Sequence, residues 1–155
     1  MAVLVPRVLI IEARFYENLS KMLLEGCVNF LNNKDVKWDS VVTPGVLEIP
    51  AAISMAMNAT AYKVYNGIIV LGIVMRGETS HCDIIAQAVT RGLIDISIKD
   101  SLPIGNGIVV VDNEEQAVDR VSSACLNRGG CAARSVLTMI ELKGFFNNRF
   151  HDDTR

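Results

Sequence analysis

Short runs of Val, Ile and Leu alternate along this chain with segments whose apolar residues return at helical spacing, and this alternation limits the possible folds more than any other feature. A strand that is apolar on both faces must be covered from both sides. Such strands, separated by amphipathic helices, therefore imply a parallel sheet with helices above and below it. Four strands are expected: Val8 to Ala13, Gly67 to Val74 and Gly107 to Val111 as strands buried on both faces, and Asp39 to Thr43 as an edge. Between them, Leu19, Met22, Leu23, Cys27, Phe30 and Leu31 form one helical stripe. Ile84, Ile85, Ala88, Val89, Leu93 and Ile96 form another, and both stripes are expected to face the core. Asp112, as a cap, opens a further helix with Glu115 three positions on, and this helix is expected to run to about Leu126. Asn127-Arg128-Gly129-Gly130 reads as a tight glycine turn before a last helix from Ala132 to Phe146. Residues Asn147 to Arg155 are polar and read as a frayed tail.

The length of 155 residues, half of them hydrophobic, suits one core, so a single domain spanning the whole chain is expected. Fifteen basic and 17 acidic residues nearly cancel, and no Lys/Arg cluster carries interleaved aromatics, so nothing indicates a nucleic-acid partner. Cys27, Cys82, Cys125 and Cys131 lack a C-x-x-C spacing and the two histidines lie far apart, which argues against a zinc site and for core thiols in a reducing compartment. The first residues lead directly into a strand-like segment without the pattern of a signal peptide, and no apolar run approaches the ~18 residues of a membrane span. A cytoplasmic location and no membrane partner are therefore expected.

In an open α/β sheet, ligands bind beyond the carboxyl ends of the strands. The segments to search are Arg14-Phe15-Tyr16, Pro44 to Pro50, Arg76 to His81, and the stretch around Asn106. The third is the most informative, because Gly77 permits close backbone approach and Thr79 and Ser80 stand at an expected helix start. Unpaired amides, the helix dipole and hydroxyl donors there would favour a phosphate. His81, in the first turn, would lie beside it and exchange protons near neutral pH. Taken alone, the same residues also suit a plain helix cap followed by a solvated histidine. Cys82 reads as packing rather than as half of a dyad, since adjacent helical residues point ~100° apart.

The run Gly72-Ile73-Val74-Met75-Arg76-Gly77-Glu78-Thr79-Ser80-His81 resembles the signature of the lumazine synthase family, G-x-V-I-R-G-E-T-x-H. Arg14-Phe15 resembles its R-F-N, and Pro44-Gly45-Val46-Leu47-Glu48-Ile49-Pro50 its P-G-A-F-E-I-P. Gln116 to Arg120 resembles its E-Q-A-I-E-R, and Asn127-Arg128-Gly129 its N-K-G. The likeness runs from about Val8 to Leu142, and several motifs in one order are far more specific than any one of them.

The resemblance implies a three-layer α/β/α fold around a four-stranded, mainly parallel, flavodoxin-like sheet. It also implies condensation of 5-amino-6-(ribitylamino)uracil with 3,4-dihydroxy-2-butanone 4-phosphate, with no metal or organic cofactor. His81 would be the catalytic histidine. Phe15 would stack on the uracil ring, and Val46, Leu47 and Glu48 would hold the ribityl chain and ring edge. Ile73, Val74 and Met75 would form the pocket wall, and Glu78 and Thr79 would hold the phosphate. Arg120 would reach that phosphate from a neighbouring subunit of a pentamer. Leu47 and Asn106 stand where the family commonly has aromatics, which implies weaker binding of flavin-like rings. Arg128 replaces the usual Lys with a different charge geometry. Two other readings stay open at this point: a phosphosugar isomerase or aldolase on a similar sheet, and a flavin-binding scaffold without turnover.

Overall fold

The structure, a computed structural model, describes residues 5–60 and 64–149. Its sheet has four parallel strands, β1 (Arg7–Ala13), β2 (Lys37–Thr43), β3 (Gly67–Met75) and β4 (Ile104–Val111), in the order β2-β1-β3-β4. The sheet is parallel throughout rather than mainly so. Helix α1 (Glu17–Asn33) follows β1. A 3₁₀ turn (Val46–Glu48) and α2 (Ile49–Asn58) follow β2, α3 (His81–Asp100) follows β3, and α4 (Glu114–Val121) and α5 (Arg128–Arg149) follow β4. Two cores result, one on each face. Val8, Ile10, Ile69 and Leu71 meet α1, α4 and α5, while Leu9, Ile11, Ile68 and Val70 meet α2 and α3.

The central strands β1 and β3 are buried on both faces, as their composition requires. β4 is not. Gly105, Gly107, Val109 and Val111 are buried, whereas Asn106 is exposed and Ile108 and Val110 are only half covered, because β4 is a sheet edge with one face incompletely roofed. Asn106, expected in a segment beyond a strand end, lies within this strand, where its Oδ1 accepts a hydrogen bond from Ile108 N at 2.9 Å.

The apolar stripe of α1 packs inward through Leu19, Leu23, Cys27 and Leu31. The stripe of α3 is covered only in part. Val89 and Leu93 are buried, but Ile84 is 63% exposed and Ala88 is also exposed, so helical period located the apolar face without showing how much of it this chain covers. Ile94 and Ile98 of the same helix and Met55 of α2 are exposed as well. Cys27 is the buried thiol, and Cys82 is half-buried. Cys125 and Cys131 are exposed, contrary to a core role for all four.

The C-terminal third differs most from expectation. Asn113, not Asp112, caps α4: its Oδ1 accepts from Gln116 N at 2.9 Å while Gln116 Oε1 accepts from Asp112 N at 2.8 Å. This is a reciprocal cap one residue later than the sequence suggested. α4 ends at Val121 rather than near Leu126. The expected glycine turn is instead the first turn of α5. Asn127 takes the left-handed conformation (φ 44°), and its Oδ1 accepts from Gly130 N at 3.1 Å. Gly129 is a packing residue: a Cβ there would collide with Leu23 O and sit 2.9 Å from Cys27 N, so its absence lets α5 settle on α1. Helix α5 continues through Asn147 to Arg149, where a tail was expected, and 150–155 lie outside the described residues. Among the described residues, no helix is long and apolar enough to cross a membrane.

Candidate active site

Strand order places the carboxyl ends of β1 and β3 side by side at the middle of the sheet, and a cavity of about 490 Å³ opens there. Its wall is Ile73, Val74 and Met75 from the end of β3, continued by His81, Cys82 and Ile85 from the start of α3. Opposite stand Phe15 and Tyr16 from the end of β1, and Pro44 to Glu48 from the segment after β2. Eight residues singled out in the sequence therefore converge: Phe15, Val46, Leu47, Glu48, Ile73, Val74, Met75 and His81.

Each side chain has a local cause for its position. Phe15 is 74% exposed, which excludes a core role, and it meets the ring of Tyr16 edge-on at 5.0 Å. Tyr16 packs partly against the core and so supports Phe15 from behind. Beneath them lies Glu12, 1% exposed within an otherwise apolar strand. Its Oε1 accepts from Arg14 Nη2 at 2.7 Å, and its Oε2 has no partner among the described residues. The hydrogen bond and charge of Glu12 raise the pKa of Arg14. Burial, reinforced by the nearby charge of Glu12, pushes the Cys27 thiol up to about 12, so it stays protonated and inert.

Val46 is buried against the sheet because Gly72 opposite has no side chain; a Cβ there would lie 2.6 Å from Val46 Cγ2. Thr43 ties this segment down by donating its hydroxyl to Gly45 O at 2.9 Å. Leu47 and Glu48 are left exposed at the rim, and Pro50 falls in the first turn of α2, where its missing N–H costs nothing. Cys82 donates its thiol to Met75 O at 2.9 Å and packs partly against the core, while one side of it lines the cavity.

Glu78 and Thr79 lie in the exposed loop between β3 and α3, next to the cavity in sequence but not in its lining. Ser80 is the residue before α3 and its side chain makes no cap hydrogen bond, so the first amides of α3 are not taken by that hydroxyl. His81 opens the helix, exposed. Asn106 on β4, Arg120 on α4 and Arg128 at the start of α5 are not brought to the cavity within one chain. Sequence reasoning placed Tyr16 in a segment to search but missed Cys82 and Ile85 as lining residues. Helical spacing assigns Ile85 to the core-facing stripe, and Cys82 reads as packing, so neither carries a sequence signal for the cavity.

The arrangement combines a mainly apolar cavity, an exposed aromatic side chain, a rim carboxylate, a helix start without a side-chain cap, and an imidazole at that helix start. These are the elements that binding of a flat polar ring beside an anion, with a proton carrier at hand, requires.

Comparison with known proteins gives a consistent result. The family model described as 6,7-dimethyl-8-ribityllumazine synthase matches residues 6–144. A 6,7-dimethyl-8-ribityllumazine synthase of Agrobacterium fabrum is 48% identical over 140 residues, covering 89% of this chain and 95% of that protein. The protein of the same name from Bartonella tribocorum is 46% identical over 92% of this chain and 93% of its own length. One from Rhizobium meliloti, named 6,7-dimethyl-8-ribityllumazine synthase 1, is 46% identical over 88% of this chain and 90% of its own.

Proposed function

Because this chain belongs to the 6,7-dimethyl-8-ribityllumazine synthase family, we propose that it is the transferase that condenses 5-amino-6-(ribitylamino)uracil with 3,4-dihydroxy-2-butanone 4-phosphate in the penultimate step of riboflavin biosynthesis. The products are 6,7-dimethyl-8-ribityllumazine, phosphate and water. The observation that carries the residue assignments is the single cavity in which Phe15, the Val46–Glu48 turn, the Ile73–Met75 wall and His81 meet.

Phe15 offers its face to the uracil ring, and the apolar wall excludes water from the other side. Glu48 accepts hydrogen bonds from ribityl hydroxyls. Glu78 and Thr79, with the start of α3 that no side chain caps, hold the phosphate. His81 carries protons as the ketone oxygen leaves as water, as phosphate leaves its ester carbon, and as closure of the second C–N bond releases further water. The C–N bonds form by addition and dehydration at carbonyl carbon, and phosphate leaves by β-elimination as a proton is lost from the carbon between, so the steps call for proton transfer and positioning rather than redox chemistry.

Arg120, Asn106 and Arg128 act across a subunit boundary, reaching the cavity of an adjoining copy within a homopentamer. The exposed apolar side chains Met55, Ile84, Ile94 and Ile98 on α2 and α3 support such a boundary. Covering each of them would stabilise the assembly by up to about 1.5–3 kcal/mol. The four free cysteines suit the reducing cytoplasm.

The direct test is incubation of the purified protein with both substrates while lumazine fluorescence and phosphate release are followed. Both should rise together. Replacement of His81 by Ala should slow turnover about 100- to 10,000-fold while leaving binding of the uracil substrate intact. A wild-type protein that forms no lumazine from competent substrates would refute the assignment.

A further inference from the structure

Arg76 is the residue at which three segments around the phosphate loop are tied together. Its backbone N–H donates to Val111 O at 2.8 Å, carrying the β3–β4 pairing one residue past the end of β3. Its Nε donates to Asp83 Oδ1 at 2.9 Å in the first turn of α3, and its Nη1 donates to Asp112 Oδ1 at 2.8 Å just beyond β4. Hydrogen bonds from Arg76 to Asp112 and then to Asp83 raise its pKa, so the guanidinium is permanently charged. Asp112 in turn belongs to the reciprocal cap of α4 through its own N–H and Gln116, and α4 carries Arg120.

Arg76 and Asp83 enclose residues 77–82, which include the phosphate-binding pair Glu78 and Thr79 and the histidine. Residues 77–81 are exposed. Among the described residues, none of the side chains of Glu78, Thr79, Ser80 or His81 makes a hydrogen bond, and a Cβ on Gly77 would touch nothing within 4 Å. The loop is therefore held from its ends. At one end is the sheet; at the other is the bond that Arg76 throws across it.

We propose that Arg76 is a positioning residue for the phosphate-binding step. Its paired hydrogen bonds to Asp83 and Asp112 clamp the 77–81 loop and the first turn of α3 in the conformation that receives the phosphate. This rests on the placement of the phosphate under Proposed function. The fold itself has little need of the clamp. Half-exposed ion pairs of this kind contribute little to global stability, so their convergence from three segments points to the loop.

The clamp makes a prediction opposite in sign to simple electrostatics. Removing two carboxylates near an anion site should strengthen phosphate binding if charge alone matters; if Arg76 works through them, it should weaken it. The test is a titration of inorganic phosphate into the assembled full-length protein by calorimetry, for the wild type, Arg76→Ala, Arg76→Lys and the double variant Asp83→Ala/Asp112→Ala. Arg76→Ala is expected to weaken phosphate binding about tenfold, because the loop loses the hydrogen bonds to Asp83 and Asp112 that hold it. The double variant should weaken it similarly, and Arg76→Lys should fall between Arg76→Ala and the wild type. In steady-state kinetics the KM for the butanone phosphate should rise while the KM for the uracil substrate and the Tm stay as in the wild type. Tighter phosphate binding by the double variant, an unchanged affinity in Arg76→Ala, or no phosphate binding by the wild type would each overturn the inference. Lumazine formation by the wild type, measured on the same preparation, decides the parent assignment separately.

Discussion

Phe15 exposes 74% of its surface at the end of β1, so its ring is open to the cavity it lines. The aromatic surface opposite is missing, because Leu47 stands at the rim, 54% exposed. Leu47→Phe should therefore tighten binding of the lumazine product, by about threefold to tenfold for one added ring contact, as measured by fluorescence titration. An unchanged affinity would show that the ring does not reach position 47. A second prediction concerns Asp39, near the opposite end of the sheet. Tyr65 Oη donates to its Oδ2 at 2.8 Å and Arg7 Nε at 2.8 Å, and these hydrogen bonds, Tyr65's first, hold the carboxyl below its ordinary range. A carboxyl with a lowered folded pKa adds stability above its unfolded value of about 3.9. That stability is lost as pH falls through the folded value. Asp39→Asn should lower the urea midpoint at pH 7 and leave it little changed at acid pH, where the wild-type carboxyl is protonated too. The site residues carried by motif spacing were legible in the sequence because chemistry restricts residue type there. Glu12 was not: a carboxylate within an apolar strand leaves no periodic signal, and only the fold shows it buried beneath Arg14.

At the scale of elements, the contact between α1 and α5 depends on Gly129, whose missing side chain leaves room for the backbone at Leu23 and Cys27. Gly129→Ala should destabilise the protein by about 1–3 kcal/mol, the usual cost of overpacking, read as a lower denaturation midpoint. Full stability in that variant would mean that α5 slides along α1 at no cost. The same contact explains why the last third of the chain was hard to read. Adjacent glycines look like a turn when only local conformation is weighed, yet here both are helical and neither takes a positive φ; Asn127 does instead. β1 and β3 were legible because burial on both faces demands continuous Val, Ile and Leu, whereas β4 carries the same composition on an edge with one face only half covered. α3 was half legible for the opposite reason: its apolar period is real, but among the described residues Ile84 and Ile98 stay 63% and 74% exposed.

At the scale of the whole molecule, those uncovered residues and the cavity belong to one problem. Phe15, His81 and the Val46–Glu48 turn meet within a single chain, whereas Arg120, Asn106 and Arg128 do not join them. A site completed between copies makes a clear genetic prediction. Co-expression of His81→Ala chains with Arg120→Ala chains should restore part of the activity that each variant lacks alone, because mixed assemblies contain some boundaries with both residues intact. Activity no higher than that of the separate variants would place the complete site within one chain. The most direct measurement of the central claim is a crystal structure of the protein with the uracil substrate and inorganic phosphate bound. The expected result is phosphate density against the amides and hydroxyls of residues 77–80, the ring over Phe15, and the His81 imidazole between them. Phosphate bound elsewhere, with the imidazole turned away from the reacting carbon, would contradict it.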